Sequence, residues 1–388
     1  MTLNVELITT LKRETFGHII YNTISKCGTK IFMVYCIHID GRSKMICELL
    51  ENKEGKLCTI SSIRAENDGI YKYVHSGFAS DNFDKFSVID SDGRSRVRIR
   101  IFDNNLREIN SKIFSDYYGS SGEVLGGNMT NDGKYIILTY VTDNNAGKSF
   151  QKTMVKVLDT CCLNEKKSYT LCGNISTQPR FFRLNGDNNE YIILTSHNIK
   201  NSTIFKNIEP PKLNILKMND SFLDLVCEIE LVEKSNYDFV KTPKNSLRIV
   251  VGTLACFNND GPNYIDNLDK SYICNDDREY RIYKFKKHKL KLVSGKKYGF
   301  DIYPKFYPTE HKISIGQSID TFMSFQIFDV DEKCVPIDDT GNKNIIFPPN
   351  SYYNFSSDGR WLLVTGSISG DRNVCKKYEK NILLFRLE

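Results

Sequence analysis

Apolar and polar residues alternate along this chain in short runs, and the runs recur as one pattern. Its clearest copies are NMTNDGKYIILTY (residues 128–140) and NFSSDGRWLLVTG (354–366). Each passes from a small or apolar lead-in through Ser or Thr, an Asp-Gly pair and a basic residue into a β-rich apolar run. Two-residue alternation bounded by turn residues predicts a half-buried strand. Asp-Gly predicts the turn between two such strands, because the turn demands a positive φ that Gly adopts without strain. Weaker copies are NTISKCGTKIFMVY (22–35), GFASDNFDKFSVID (77–90), FRLNGDNNEYIILTS (182–196), VKTPKNSLRIVVGT (240–253) and KFYPTEHKISIGQS (305–318). The pattern thus occurs seven times, at a mean spacing of about 55 residues.

A second strand signal follows each copy and often ends in an aromatic residue or Leu plus an acid, as in RVRIRIFDNN, MVKVLDT, SFQIFDVDE and MICELLE; IYKFKK and LLFRLE lack the acid. A third, less regular apolar segment follows most of these, for example GKLCTISSI, LREINSKIF and KSYTLCG. Each repeat therefore supplies four strands, a to d from the centre outward, and four-stranded units repeated radially are the blades of a propeller. No long stretch shows helical period. The expected fold is all-β: one domain over residues 1–388, a seven-bladed β-propeller of four-stranded antiparallel blades. The last repeat stops after NILLFRLE, which reads as strand c, while the chain opens with NVELITTL before the first repeat. The N-terminal strand, residues 1–11, is expected to complete the last blade and remove an exposed edge.

The Ser/Thr-x-Asp-Gly-Lys/Arg turn, seen at Thr130–Lys134 and Ser356–Arg360, resembles the repeat of TolB-type and dipeptidyl-peptidase-type propellers. It is also similar to the degenerate end of the tryptophan–aspartate repeat family. The Gly-His and Trp-Asp signatures of the latter are absent, and the single tryptophan, Trp361, falls in strand b. The resemblance implies a fold and no particular activity, since such propellers host enzymes, scaffolds and receptors alike.

Composition changes little in this picture. With 53 basic and 47 acidic residues the net charge is +6, a mixed surface unlike that of a dedicated nucleic-acid binder. The opening segment lacks an apolar core followed by a small-residue cleavage site, and no apolar run approaches the roughly 20 residues that span a bilayer. The twelve cysteines form no CxxC, and Cys36 and Cys227 sit inside apolar runs, where a thiol behaves as a small hydrophobe. Reduced cysteines and an intracellular, cytoplasmic setting are expected. Abundant Asn, Lys, Ile and Tyr suggest an AT-rich coding genome, as in some protists and large DNA viruses.

In a propeller of this strand order, a–b and c–d turns share one face, and b–c and d–a loops share the other. The a–b turns are short, whereas long b–c segments recur: DNNAGKSFQ, SHNIKNSTIFKNIEPPK, SISGDRNVCKKYEK and the longest, residues 256–280. Long loops carry binding more often than regular elements do, so this face is the expected docking surface for a protein partner. Within 256–280, Tyr264 and Tyr272 are candidate aromatic anchors, with Asp266 and Asp269 between them; the spacing of the acids does not fit a calcium loop. In GRSRVRIRIF, alternation predicts that one strand face carries Arg94, Arg96, Arg98 and Arg100. That stripe would attract an anion, a nucleic-acid backbone or an acidic segment. Charged strand-c residues recur elsewhere (Lys152 and Lys156; Lys44 and Glu48), which favours pairing with carboxylates on neighbouring strands. The lysine-rich run 284–297 reads as a solvated c–d hairpin, and Cys161 with Cys162 as part of a c–d turn.

Catalytic motifs are missing: there is no GxSxG, HExxH, GxxxxGK[ST] or GxGxxG, and the six histidines include no pair at metal-ligand spacing. No cofactor and no metal are expected. The alternative to a binding module is a metal-assisted hydrolase or lyase at the central channel, drawing on His18, His75, Glu123, Asp238 and Asp301.

Overall fold

The computed structural model describes residues 5–12, 18–39, 42–65, 71, 73–116, 126–143, 152–175, 179–183, 189–197, 212–219, 222–231, 235–241, 247–253, 278–298, 302–306, 312–319, 322–329, 342–347, 352–356, 358–365 and 381–387. Every regular element among them is a strand, and the strands form seven separate antiparallel sheets. Two compact units result, Met1–Glu228 with Pro348–Glu388, and Ile229–Phe347.

In the first unit, β1 (Val5–Lys12) opens the chain. The first sheet runs β2 (His18–Ile24), β3 (Lys30–Ile39), β4 (Arg42–Lys53) and β5 (Lys56–Ala65). The second runs β6 (Tyr73–Ala79), β7 (Lys85–Ser91), β8 (Val97–Asp103) and β9 (Glu108–Phe114). The third comprises β10 (Gly126–Met129), β11 (Tyr135–Asp143), β12 (Lys152–Asp159) and β13 (Glu165–Cys172). In the fourth, the first strand is split into β14 (Asn174–Ile175) and β15 (Arg180–Arg183), which both pair with β16 (Glu190–His197); β17 (Lys212–Met218) and β18 (Leu223–Glu230) follow. The second unit holds the fifth sheet, β19 (Ser235–Lys241), β20 (Leu247–Thr253), β21 (Arg278–Lys286) and β22 (Lys289–Tyr298). It also holds the sixth, β23 (Ile302–Phe306), β24 (Lys312–Ile319), β25 (Phe322–Asp329) and β26 (Asn342–Phe347). The seventh sheet returns to the first unit with β27 (Tyr352–Phe355), β28 (Trp361–Thr365), β29 (Asn381–Leu387) and, outermost, β1.

All seven sequence repeats coincide with an a–b hairpin of one sheet. The two chain ends meet as expected: β1 pairs antiparallel with β29 from Val5↔Leu387 to Lys12↔Asn381. Within the first unit the innermost strands lie side by side in the order β27, β2, β6, β10, β15. Alternation explains the packing, since each strand sends one set of side chains to the sheet before it and the other to the sheet after it. Phe32, Val34, Met45 and Cys47 of the first sheet pack on Phe83, Phe86, Val88 and Phe102 of the second, with Phe32 and Phe86 ring centroids 4.5 Å apart. Ile89, Val97, Ile99 and Ile101 turn the other way, onto Ile136, Leu138 and Leu158 of the third. Residues fully buried in this way each contribute about 1.5–3 kcal/mol, which is what makes the sheets a rigid support for their turns.

Candidate functional site

The a–b turns show why the repeat motif has its form. In four of them a Ser or Thr receives, on its side-chain oxygen, the backbone N–H five residues later: Lys30→Ser25 (2.9 Å), Lys85→Ser80 (3.1 Å), Tyr135→Thr130 (2.9 Å) and Trp361→Ser356 (3.0 Å). The residue three places on takes a positive φ: Gly28 (72°), Gly133 (67°), Gly359 (74°) and, in the second sheet, Phe83 (56°). Asp132 and Asp358 accept the hydroxyl of their own turn's Thr130 and Ser356 at 2.8 and 2.6 Å. In the first and second sheets that acidic position is taken by Cys27 and Asn82. Strand-c acids organise the c–d turns in the same way. Asp103 accepts the N–H groups of Asn105 and Arg107 at 2.8 Å each, and Asp159 accepts that of Cys162 at 2.8 Å. The Cys162 thiol and Lys166 also hydrogen-bond to Asp159, and together they hold its carboxyl at about 2. Where the acid is absent, in the fifth sheet, the turn is made by Lys287 and His288 at φ 52° and 58°, with Lys286, Lys287, His288 and Lys289 exposed.

The arginine stripe is divided. β8 begins at Val97, so Arg94 and Arg96 do not share a strand face with Arg98 and Arg100, contrary to the alternation. They lie in the b–c turn between β7 and β8, where Asp92 Oδ1 accepts the backbone N–H groups of Arg94 (2.8 Å), Ser95 (2.9 Å) and Arg96 (3.0 Å) and Gly93 sits at φ 73°. Asp92-Gly93, the signature of the a–b turns, stands directly before Arg94 and is the sequence signal that places it outside the strand. Arg98 and Arg100 do point from β8 toward a carboxylate on the neighbouring strand. Asp90, 2 % exposed, takes a two-point contact from Arg98 (Nε–Oδ1 2.9 Å, Nη2–Oδ2 2.8 Å) and a third bond from Arg100 Nη2 at 2.7 Å. The Arg98 guanidinium also lies 4.0 Å from the Tyr71 ring centroid. Lys156 follows the same logic on the third sheet, pairing with Asp116 and Glu165 at 3.4 and 3.2 Å.

Two exposed guanidiniums, those of Arg94 and Arg96, therefore remain at the b–c end of the second sheet, beside Tyr73, whose side chain is 56 % exposed and whose ring packs over Gly93. His75 lies on the same strand as Tyr73, its Nε2 2.7 Å from Ser91 Oγ. Burial drives its pKa down to about 4 against the opposing pull of Asp90, so the ring is neutral at neutral pH. Asp90, Asp92 and Tyr73 carry no signal that singles them out in the sequence; only the Asp-Gly pair marks this turn.

The other candidates divide differently. Tyr264, Tyr272, Asp266, Asp269, Glu123 and Asp301 lie outside the described residues, as do most of the long b–c segments. His18 and Asp238 fall on the first strands of the first and fifth sheets, β2 and β19. Among the described residues no cluster of three or more His, Cys, Asp or Glu is placed to hold a metal. Eight cysteines are described, all free thiols; Cys47 is buried, which pushes its thiol up to about 12. Cys36 and Cys227 are only partly buried, and Cys27, Cys58, Cys161, Cys162 and Cys172 are exposed; Cys58, Cys172 and Cys227 lie on outer strands and Cys27, Cys161 and Cys162 in turns.

No protein-family model matches the chain, and no curated protein does either. Solved structures do resemble it. The Dos1 propeller is 11 % identical over 98 % of this chain and 95 % of its own length, with a TM-score of 0.53. A structure from a study of two prolyl endopeptidases aligns at 9 % identity and TM-score 0.51 over 99 % of this chain; this chain spans 51 % of that protein. Sqt1 from Chaetomium thermophilum aligns at 10 % identity over 99 % of this chain and 90 % of its own, with a TM-score of 0.50. The fold is a β-propeller.

Proposed function

We propose that this β-propeller is a non-enzymatic, intracellular interaction module, its 388 residues acting as one domain that binds a protein partner at its b–c end. The observation that carries this reading is the b–c turn of the second sheet. There Asp92 organises the main chain, and neither Arg94 nor Arg96 forms an ion pair among the described residues. Arginine and tyrosine are the side chains most often found at binding hot spots, and here Tyr73 stands exposed beside the arginines on a support fixed by the buried Asp90 pairs. The long loop sequences around Tyr264 and Tyr272 belong, by repeat position, to the same kind of b–c connection. A nucleic-acid reading is weaker, because Asp90 already neutralises half of the arginine stripe. The test is affinity capture from the native cell with wild-type protein and with Arg94→Glu/Arg96→Glu/Tyr73→Ala. A partner retained by the first and lost by the second, at unchanged melting temperature, supports the reading. Equal recovery by both, or a bound fraction that proves to be nucleic acid, removes it.

A further inference from the structure

We infer a second binding site at the opposite end of the first unit: a groove across the a–b turns of the first, second and seventh sheets that accepts an acidic peptide segment. The groove measures about 740 Å3, and Trp361, Phe83 and the turn Ser25–Lys30 form part of its lining. Lys26, Lys30, Arg360 and Arg386 stand around it, against Asp81 and Asp358. Asp358 is already engaged by its own turn, through Ser356 Oγ and the Arg360 N–H, and Asp81 faces Lys26. Lys30 and Arg360 form no ion pair among the described residues.

The repeat itself provides an internal comparison. Between the second and third sheets the corresponding space is latched. The Asp81 N–H donates to Asn131 O at 3.0 Å, and Lys85, the counterpart of Lys30, donates to Thr160 Oγ1 at 2.9 Å and Gly133 O at 3.3 Å. Between the first and second sheets the equivalent bonds from Lys26 N–H and Lys30 Nζ are not made among the described residues. Thr160 is replaced by Asn104, and the turn position of Gly133 by Phe83. Two further replacements shift the charge. Where the third and seventh sheets carry Asp132 and Asp358, the first carries Cys27, and its turn holds Lys26 and Lys30 with no acid; the second carries Asn82 but keeps Asp81 and Asp84, so the positive charge comes from the first sheet's turn. An unlatched cleft with surplus positive charge and a partly exposed indole suits a carboxylate-rich segment with an apolar side chain. Such charges set orientation and association rate as well as affinity.

Cys27 is exposed within this groove and serves as its reporter. The probe is a fluorescein-labelled peptide of glutamate and aspartate around one leucine; its control replaces the acids by Gln and Asn. Added to the full chain at low salt, the acidic peptide should bind, slow alkylation of Cys27 by iodoacetamide, and leave Cys58 and Cys172 unaffected. Lys30→Ala/Arg360→Ala should weaken binding by about tenfold, whereas Lys134→Ala, on the third sheet's turn, should leave it unchanged. Cys27 should also react faster with anionic iodoacetate, relative to iodoacetamide, than Cys58 does, and that excess should disappear in the double variant. Binding unaffected by Lys30→Ala/Arg360→Ala, absence of Cys27 protection, or equal binding of the neutral peptide overturns the inference. Tighter binding of a single-stranded oligonucleotide through the same two residues also overturns it. The Arg94→Glu/Arg96→Glu change lies at the other end of its sheet and should not alter these readouts, so this inference and the proposed function fail separately.

Discussion

The indole of Trp361 fills the space that a β-carbon on Gly28 would need. Gly28 lies in the a–b turn of the first sheet and Trp361 opens β28 of the seventh, so the absence of one side chain joins the last repeat to the first. Gly28 also has a φ of 72°, and two costs therefore coincide at one position. Gly28→Ala should destabilise the protein by about 2–4 kcal/mol, from left-handed strain of roughly 1 kcal/mol plus displacement of a packed ring. Gly55 shares the positive φ, at 79°, but has only Ile8 O near, at 3.8 Å. Gly55→Ala should cost only the backbone share. Chemical denaturation of both variants separates the terms, and equal losses would show that Trp361 yields without cost.

Asp90→Asn should be among the most damaging conservative changes in the protein. It leaves Arg100, 7 % exposed, and the partly buried Arg98 without their anion, which costs about 3–5 kcal/mol. Adding Arg100→Met should recover much of that loss, since the buried charge departs with its partner. A double variant no more stable than Asp90→Asn would mean that the damage comes from something other than an uncompensated arginine.

His75 makes stability depend on pH. Its folded pKa of about 4 lies below the ordinary 6.5, so between those values the unfolded chain binds the proton more readily than the folded one. Stability is then complete above about pH 6.5, falls as pH drops toward 4, and loses no more below that. The loss attributable to this residue should not exceed about 3 kcal/mol. The difference between wild type and His75→Gln, measured by denaturation across this range, isolates it from the carboxylates. A difference independent of pH would contradict a buried neutral imidazole.

Removing residues 1–12 should destabilise the first unit by at least about 2 kcal/mol. The deletion unpairs one side of β29 and takes away Leu11, which packs against the buried cluster that includes Leu363, Ile382 and Leu384. A synthetic peptide of residues 1–12 should restore part of the melting temperature. A truncated protein that melts with the full chain would show that the seventh sheet does not need its outer strand.

Strands and turns were legible in the sequence because their causes are local. Alternation needs only neighbouring residues, and the Ser/Thr hydroxyl, the acid and the glycine of the third and seventh sheets' turns act within six residues of one another. The strand-turn-strand hairpins, the placement of Thr130–Lys134 and Ser356–Arg360 in turns, and the pairing of the two chain ends followed from those signals. Which charges face solvent did not. Arg94 to Arg100 read as one stripe, and only cross-strand register set Asp90 opposite Arg98, while Asp92 drew Arg94 and Arg96 into a turn. The groove is further still from local cause: Cys27 and Lys30 meet Arg360 and Trp361 because the first and seventh sheets pack side by side. Electrostatic neutralisation and burial depend on distance in space, and alternation carries no information about which distant strand will be the neighbour.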